Sequence, residues 1–177
     1  MSAEEIVEQE EQIETPNVGH EEEANNMVKN YIIASMGAAL VPVPLFDMVA
    51  LTGIQLKMLH SLAKLYDVKF TKNLGKSLIG SLLGGIVPTS TAASLSKAVP
   101  GVGTTAGVIG MSAIGGAATY AIGRVFIQHF ESGGTFLDFN PEKVREYFKA
   151  EFERGKDVAN ELQDSDEVKA EAEKATA

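Results

Sequence analysis

Apolar residues return at Met27, Tyr31, Ile32, Met36 and Leu40, three to five apart, which gathers them on one side of a helix. That helix is expected to start between Glu21 and Asn26, where carboxylates favour the positive end of the helix dipole. Pro42 and Pro44 then stand one residue apart. Each lacks a backbone donor and restricts its predecessor, so no straight helix runs through both. Asp47 follows as an N-cap, and a second helix is predicted from Met48 to about Tyr66. Its apolar face reads Leu51, Ile54 or Gln55, Met58, Leu62 and Leu65. Its other face carries Lys57, His60 and Lys64.

A polar, basic loop from Asp67 to Asn73 leads into a third predicted helix from Leu74 to Lys97, with Pro88 at or near a break. Val99-Pro100-Gly101-Val102-Gly103 reads as a tight turn, with Pro100 and Gly101 at its centre. A fourth helix is predicted from Thr104 to Phe130, terminated by Gly133-Gly134. A short extended stretch, Thr135 to Phe139, comes next. Asn140 as cap, Pro141 at the first helical position and Glu142 behind it start a fifth helix. Val144, Tyr147, Phe148, Phe152, Val158 and Leu162 mark its apolar stripe. The charged residues after Gln163 are expected to fray. The chain therefore reads as all-α, with about five helices in one domain over 25–162. An acidic, disordered tail over 1–24 and a charged tail over 163–177 flank it.

The pattern changes character in residues 75–123. Only Lys76 and Lys97 are charged there, and 30 of the residues are Gly, Ala, Ser or Thr, including 11 of the chain's 17 glycines. Small residues let helix backbones approach closely, as in membrane helix pairs. Gly80 and Gly84 are four apart, as are Gly103 and Gly107. The latter row continues through Met111, Gly115, Thr119 and Gly123. The expectation is a central Gly/Ala-rich hydrophobic hairpin that enters a membrane. Residues 77–96 and 101–123 are long enough to span. Their few strong inserting side chains give residues 101–123 only about −1.5 to −3 kcal/mol, so each arm is marginal alone and depends on the other. A buried soluble hairpin with close helix contacts is the competing reading. Lys72 and Lys76 before the hairpin and Arg124 after it place both ends at the cytoplasmic face.

Charge is unevenly spread. The net charge of −9 divides into −8 over residues 1–30, +5 over 31–130 and −6 over 131–177. This balance argues against nucleic acid as a partner. Lys57, Lys64, Lys69, Lys72 and Lys76 cluster beside apolar segments, which suits anionic headgroups; a solvated helix face reads equally well. There is no cysteine, which excludes disulfides and thiolate metal sites. The first residues show neither a basic n-region nor an apolar h-region, so no secretory leader is expected.

No motif for catalysis is found. The Gly-rich stretch from Gly101 to Gly110 lacks the Lys-Ser/Thr pair of a phosphate loop. Around Ser112, the second glycine of a nucleophile elbow falls one residue late. His20, His60 and His129 show no ligand spacing, so no metal or cofactor is expected. Asp47 is the ionisable residue singled out. Inside an apolar stretch it is either a functional carboxylate or simply a cap.

Pro42-Val43-Pro44-Leu45-Phe46-Asp47, followed by Thr52-Gly53-Ile54-Gln55-Leu56-Lys57, resembles the bacterial YcjF-like family, a domain of unknown function (DUF697). The resemblance runs on through Ser81-Leu82-Leu83-Gly84-Gly85, Pro100-Gly101-Val102-Gly103, Tyr120-Ala121-Ile122-Gly123-Arg124-Val125-Phe126 and Gly133-Gly134-Thr135-Phe136, covering roughly residues 26–155. It implies a helical, membrane-associated domain that in relatives is fused to, or encoded near, small GTPase-like proteins. It carries no catalytic residues. The expected function is a non-enzymatic protein of the bacterial inner (cytoplasmic) membrane, tails facing the cytoplasm, that anchors or regulates a partner. The lipid bilayer, a separate GTPase-like protein and a second copy of the chain are the partners considered. The shared segment Pro42, Pro44, Asp47, Gln55 and Lys57 is the candidate functional element. The alternative is a soluble helical bundle that inserts its hairpin conditionally.

Overall fold

A computed structural model describes residues 18–41, 46–85 and 105–176. Six helices lie within them: α1 (Val18–Ala39), α2 (Phe46–Leu65), α3 (Lys72–Gly84), α4 (Thr105–Glu131), α5 (Arg145–Leu162) and α6 (Asp166–Thr176). No strand occurs among the described residues. The all-α expectation holds, with one helix more than anticipated. Thr135–Phe139, expected to be extended, is instead built around a turn.

α4 is the central element and packs against α1, α2, α3 and α5; α1 in turn touches α2, α4, α5 and α6. The core follows from the apolar stripes. Val28, Ile32 and Met36 of α1 meet Met58, Leu59 and Leu62 of α2 and Ile122, Val125 and Phe126 of α4 in one buried cluster. Each such aliphatic or aromatic side chain contributes about 1.5–3 kcal/mol by leaving water.

The helix ends explain why the elements stop where they do. At the end of α2, the Val68 N–H bonds the Ala63 carbonyl and the Asp67 N–H bonds that of Lys64. Asp67 sits at φ 53°, so it closes a Schellman cap in a position that normally favours glycine. α4 closes in the same way, with Gly134 N–H on His129 O, Gly133 N–H on Phe130 O and Gly133 at φ 77°. Asn140 Oδ1 accepts from the N–H groups of Glu142 and Lys143. It therefore caps a turn over 141–144, and α5 begins only at Arg145.

The sequence beyond Gln163 is a helix, not a frayed tail. Ser165 Oγ accepts from the Val168 N–H, an N-cap bond. Asp166 and Glu167 occupy the first turn and Lys174 the last, each at the dipole end that suits its charge. The buried Val168 holds α6 in place. At Gly37 an added Cβ would lie 2.5 Å from Glu171 Cβ, so α1 and α6 meet closely there.

The loops after α2 and α4 come together in an aromatic cluster. Phe139 stacks on Phe126 with centroids 4.4 Å apart, and Phe136 contacts Phe126, Phe130 and Phe70. Between buried Phe136 and Phe139, Leu137 is 89% exposed. The Thr135 N–H donates to Asp138 Oδ1 at 2.6 Å, and the Thr135 hydroxyl donates to the same oxygen. These bonds, the hydroxyl first, hold the Asp138 carboxyl below the ordinary aspartate range. A depressed carboxylate stabilises the fold fully above its unfolded value and loses that contribution as pH falls through the lowered one. In a carboxyl NMR titration Asp138 is expected to have a midpoint below the ordinary value, and Thr135→Ala to raise it. An ordinary midpoint in the unaltered protein would remove this reading of the turn.

The expected membrane hairpin is described only in part, because residues 86–104 lie outside the described residues. No helix among the described residues is long and apolar enough to cross a membrane. α3 ends at Gly84, short of Lys97, with the Arg145 side chain against Gly85 at its C-terminal end. A cation there complements the helix dipole. From Ser112 to Gly123 the small residues of α4 make contacts inside the bundle, because an all-apolar helix buries itself in protein as readily as in lipid. Ala117 and Ala121 are fully buried. An added Cβ would lie 2.7 Å from Met36 Cγ at Gly116 and 2.6 Å from Val28 Cγ1 at Gly123. The turn at Pro100 and Gly101, together with Gly103, lies outside the described residues.

Candidate functional site

The segment singled out in the sequence does not form one site. Pro42 and Pro44 lie outside the described residues. Asp47 falls in the first turn of α2, one residue after its start, so its backbone is helical and not in the cap position. Gln55 is fully buried, whereas Lys57, two residues on, is exposed. A separation of two residues on a helix is about 200°, so these two face opposite ways.

Gln55 belongs to a polar centre where α1, α2 and α4 meet. Thr119 Oγ1 donates to Gly115 O at 3.0 Å. With its proton committed, it accepts from Ser35 Oγ at 2.8 Å and from Gln55 Nε2 at 3.4 Å. Ser112 Oγ donates to Met36 O at 2.9 Å. All four side chains are buried. Gln55 Oε1 has no hydrogen-bond partner among the described residues. Buried amides and hydroxyls are costly unless paired, so the pairing specifies how the three helices register. The hydroxyls have no base within these contacts, and the arrangement orients helices without activating a nucleophile.

A second centre joins α1, α4 and α5. Glu151 is 1% exposed. Arg124 Nη1 donates to Asn25 Oδ1 at 2.6 Å, while its Nε lies 3.8 Å from Glu151 Oε2. That is ion-pair distance but beyond a hydrogen bond. Arg154 binds the other carboxylate oxygen, and Glu21 lies 4.0 Å from Arg124. Burial, then the Glu151 charge, pushes the Tyr120 and Tyr147 phenols above the ordinary tyrosine value. Sequence reading took Arg124 as a flanking charge and overlooked Glu151. The signal was there, because Glu151 follows Phe148 by three residues and Tyr147 by four. That places a carboxylate on the apolar stripe of α5.

The glycines also divide. Gly115 makes ordinary contact with Leu51, and Gly107 lies within α4. At Gly80 and Gly84 an added methyl would meet nothing among the described residues. The closest approaches fall at Gly134, against the His129 ring, and at Gly37, Gly116, Gly123 and Gly155. Only Gly123 of these stood on the row read from sequence. The three histidines are separate, with His20 against Tyr66, His60 stacked on Phe70 and His129 donating to Thr135 O. No group of three His, Asp or Glu side chains among the described residues could hold a metal ion.

The model of the family described as Domain of unknown function (DUF697) matches residues 2–157. Magnetosome membrane protein 22 of Magnetospirillum gryphiswaldense is 43% identical over 161 residues, which covers 88% of this chain and 83% of that protein. No solved structure matches.

Proposed function

The chain belongs to the DUF697 family, and from that premise we propose that it is a non-enzymatic, membrane-associated helical protein that anchors or regulates a partner. The observation that carries this reading is the likeness to a bacterial magnetosome membrane protein along most of both chains. The buried polar groups of the described residues cross-link helices. Association need not rest on a spanning helix, because basic and apolar surface can hold a protein at a bilayer. The membrane concerned is the bacterial inner membrane, approached from the cytoplasm. The partner that the family resemblance points to is a separate GTPase-like protein, as this chain has no phosphate loop.

Cell fractionation at physiological salt tests the reading. The protein is expected in the membrane pellet. Recovery wholly in the soluble fraction, with its partners expressed, would overturn it.

A further inference from the structure

The α2–α3 limb differs in charge from the rest of the bundle. Over 46–85, Lys57, Lys64, Lys69, Lys72 and Lys76 oppose only Asp47 and Asp67, net +3. Over 145–176, ten acidic residues oppose six basic ones, net −4. All five limb lysines are exposed, and none forms an ion pair among the described residues. The lysines of α5 and α6 are engaged differently. Lys149, Lys156 and Lys174 pair with Glu146, Glu153 and Glu171, and Lys169 bonds the Asp164 carbonyl.

The limb lysines are also ordered by helical spacing. On α2, exposed Val49, Gly53, Lys57, His60 and Lys64 follow one another at intervals of three or four, so they form one stripe. Lys72 and Lys76 are four apart on α3. No acidic residue falls between Met48 and Tyr66 or between Val68 and Gly85.

Resting on the membrane-associated reading above, we propose that the α2–α3 limb is the surface that meets the bilayer, through anionic lipid headgroups. A lysine is a compact, flexible charge without the fork that matches a carboxylate or a base edge. A lysine-rich surface with one exposed valine, in which Asp67 is the acidic residue between Lys64 and Lys69, fits a fluid anionic plane better than a shaped partner. The limb contains no arginine, and its Phe70 is occupied by His60, so it lacks the usual means of reading nucleic acid. The overall charge of −9 does not prevent this. Charges are screened over about 8 Å at physiological salt, so the limb lysines set the field at their own surface.

Vesicle flotation of the full chain tests this, using phosphatidylcholine alone and phosphatidylcholine with phosphatidylglycerol. Binding is expected on the anionic vesicles and to fall as salt rises. Each limb lysine near the surface contributes roughly a fivefold factor in partitioning. The variant K57Q/K64Q/K72Q/K76Q is therefore expected to bind two to three orders of magnitude more weakly. The control K149Q/K156Q/K169Q/K174Q changes net charge equally and is expected to bind as the unaltered protein does. Equal loss in both variants would overturn the proposal by assigning binding to net charge. Equal binding to both vesicle types, untouched by the limb variant, would overturn it while leaving membrane association intact. Lysine-dependent binding to duplex DNA with none to vesicles would also overturn it. Cells in which the limb variant still pellets with membranes would separate its failure from that of the broader reading.

Discussion

Arg124→Met is expected to lower the stability of the bundle by about 3–5 kcal/mol, the usual result of removing one partner from a buried ion pair. The Glu151 carboxylate would remain inside with Arg154 alone, and Arg154 is 67% exposed. Asn25 Oδ1 would lose its donor as well. For a domain stable by about 5–15 kcal/mol, this is a large share, read as a lower urea midpoint at unchanged m-value. Arg154→Met should shift the midpoint by less than Arg124→Met does, because the Arg154 side chain is 67% exposed and water can take its place at the carboxylate. Arg124→Met with Glu151→Leu should recover much of the loss, because the stranded carboxylate goes with its partner. A single-variant loss below about 1 kcal/mol would show that this centre does not tie α1, α4 and α5 together.

What could be read in the sequence depended on which force dominates each element. α2 and α4 were legible, since the apolar spacing from Leu51 to Leu65 and the stop at Gly133-Gly134 are local signals. α6 was not, because its stability comes from Val168 and the close approach at Gly37. Neither stands out in a segment of alternating charges, although Ser165, Asp166 and Glu167 supplied a helix start. The Gly-rich stretch was legible as close-packing helix but not as to its surroundings. Lipid and a protein core are both apolar, and composition does not separate them. Spacing offered Ile54 or Gln55 for the apolar face, and it is Gln55 that is fully buried. Its partner Thr119 lies 64 residues away, and Ser35, which also bonds Thr119, lies 20 away; no local pattern announces such a junction. Glu151 was missed because charge was counted as surface, when its position on the stripe said otherwise.

Gly155→Leu is expected to cost about 3 kcal/mol, the upper end of the overpacking range. An added Cβ would lie 2.8 Å from the Ala117 carbonyl oxygen and 3.0 Å from Ala117 Cα. Both atoms belong to helix backbone, so neither can rotate away, and α5 must move off α4 to admit the side chain. The same change at Gly116 should cost less, since its near neighbour is the flexible side chain of Met36. Gly80→Ala should act in the opposite direction. Its added methyl meets nothing among the described residues, and alanine in place of glycine inside a helix gains about 0.5–1 kcal/mol. Chemical denaturation of the three variants therefore has an expected order, with Gly80→Ala above the unaltered protein and Gly155→Leu lowest. A stabilising Gly155→Leu would place the tight α4–α5 approach elsewhere. A Gly80→Ala that destabilises by 1 kcal/mol or more would make α3 part of a close helix contact at Gly80, returning that glycine to the packing role its spacing suggested.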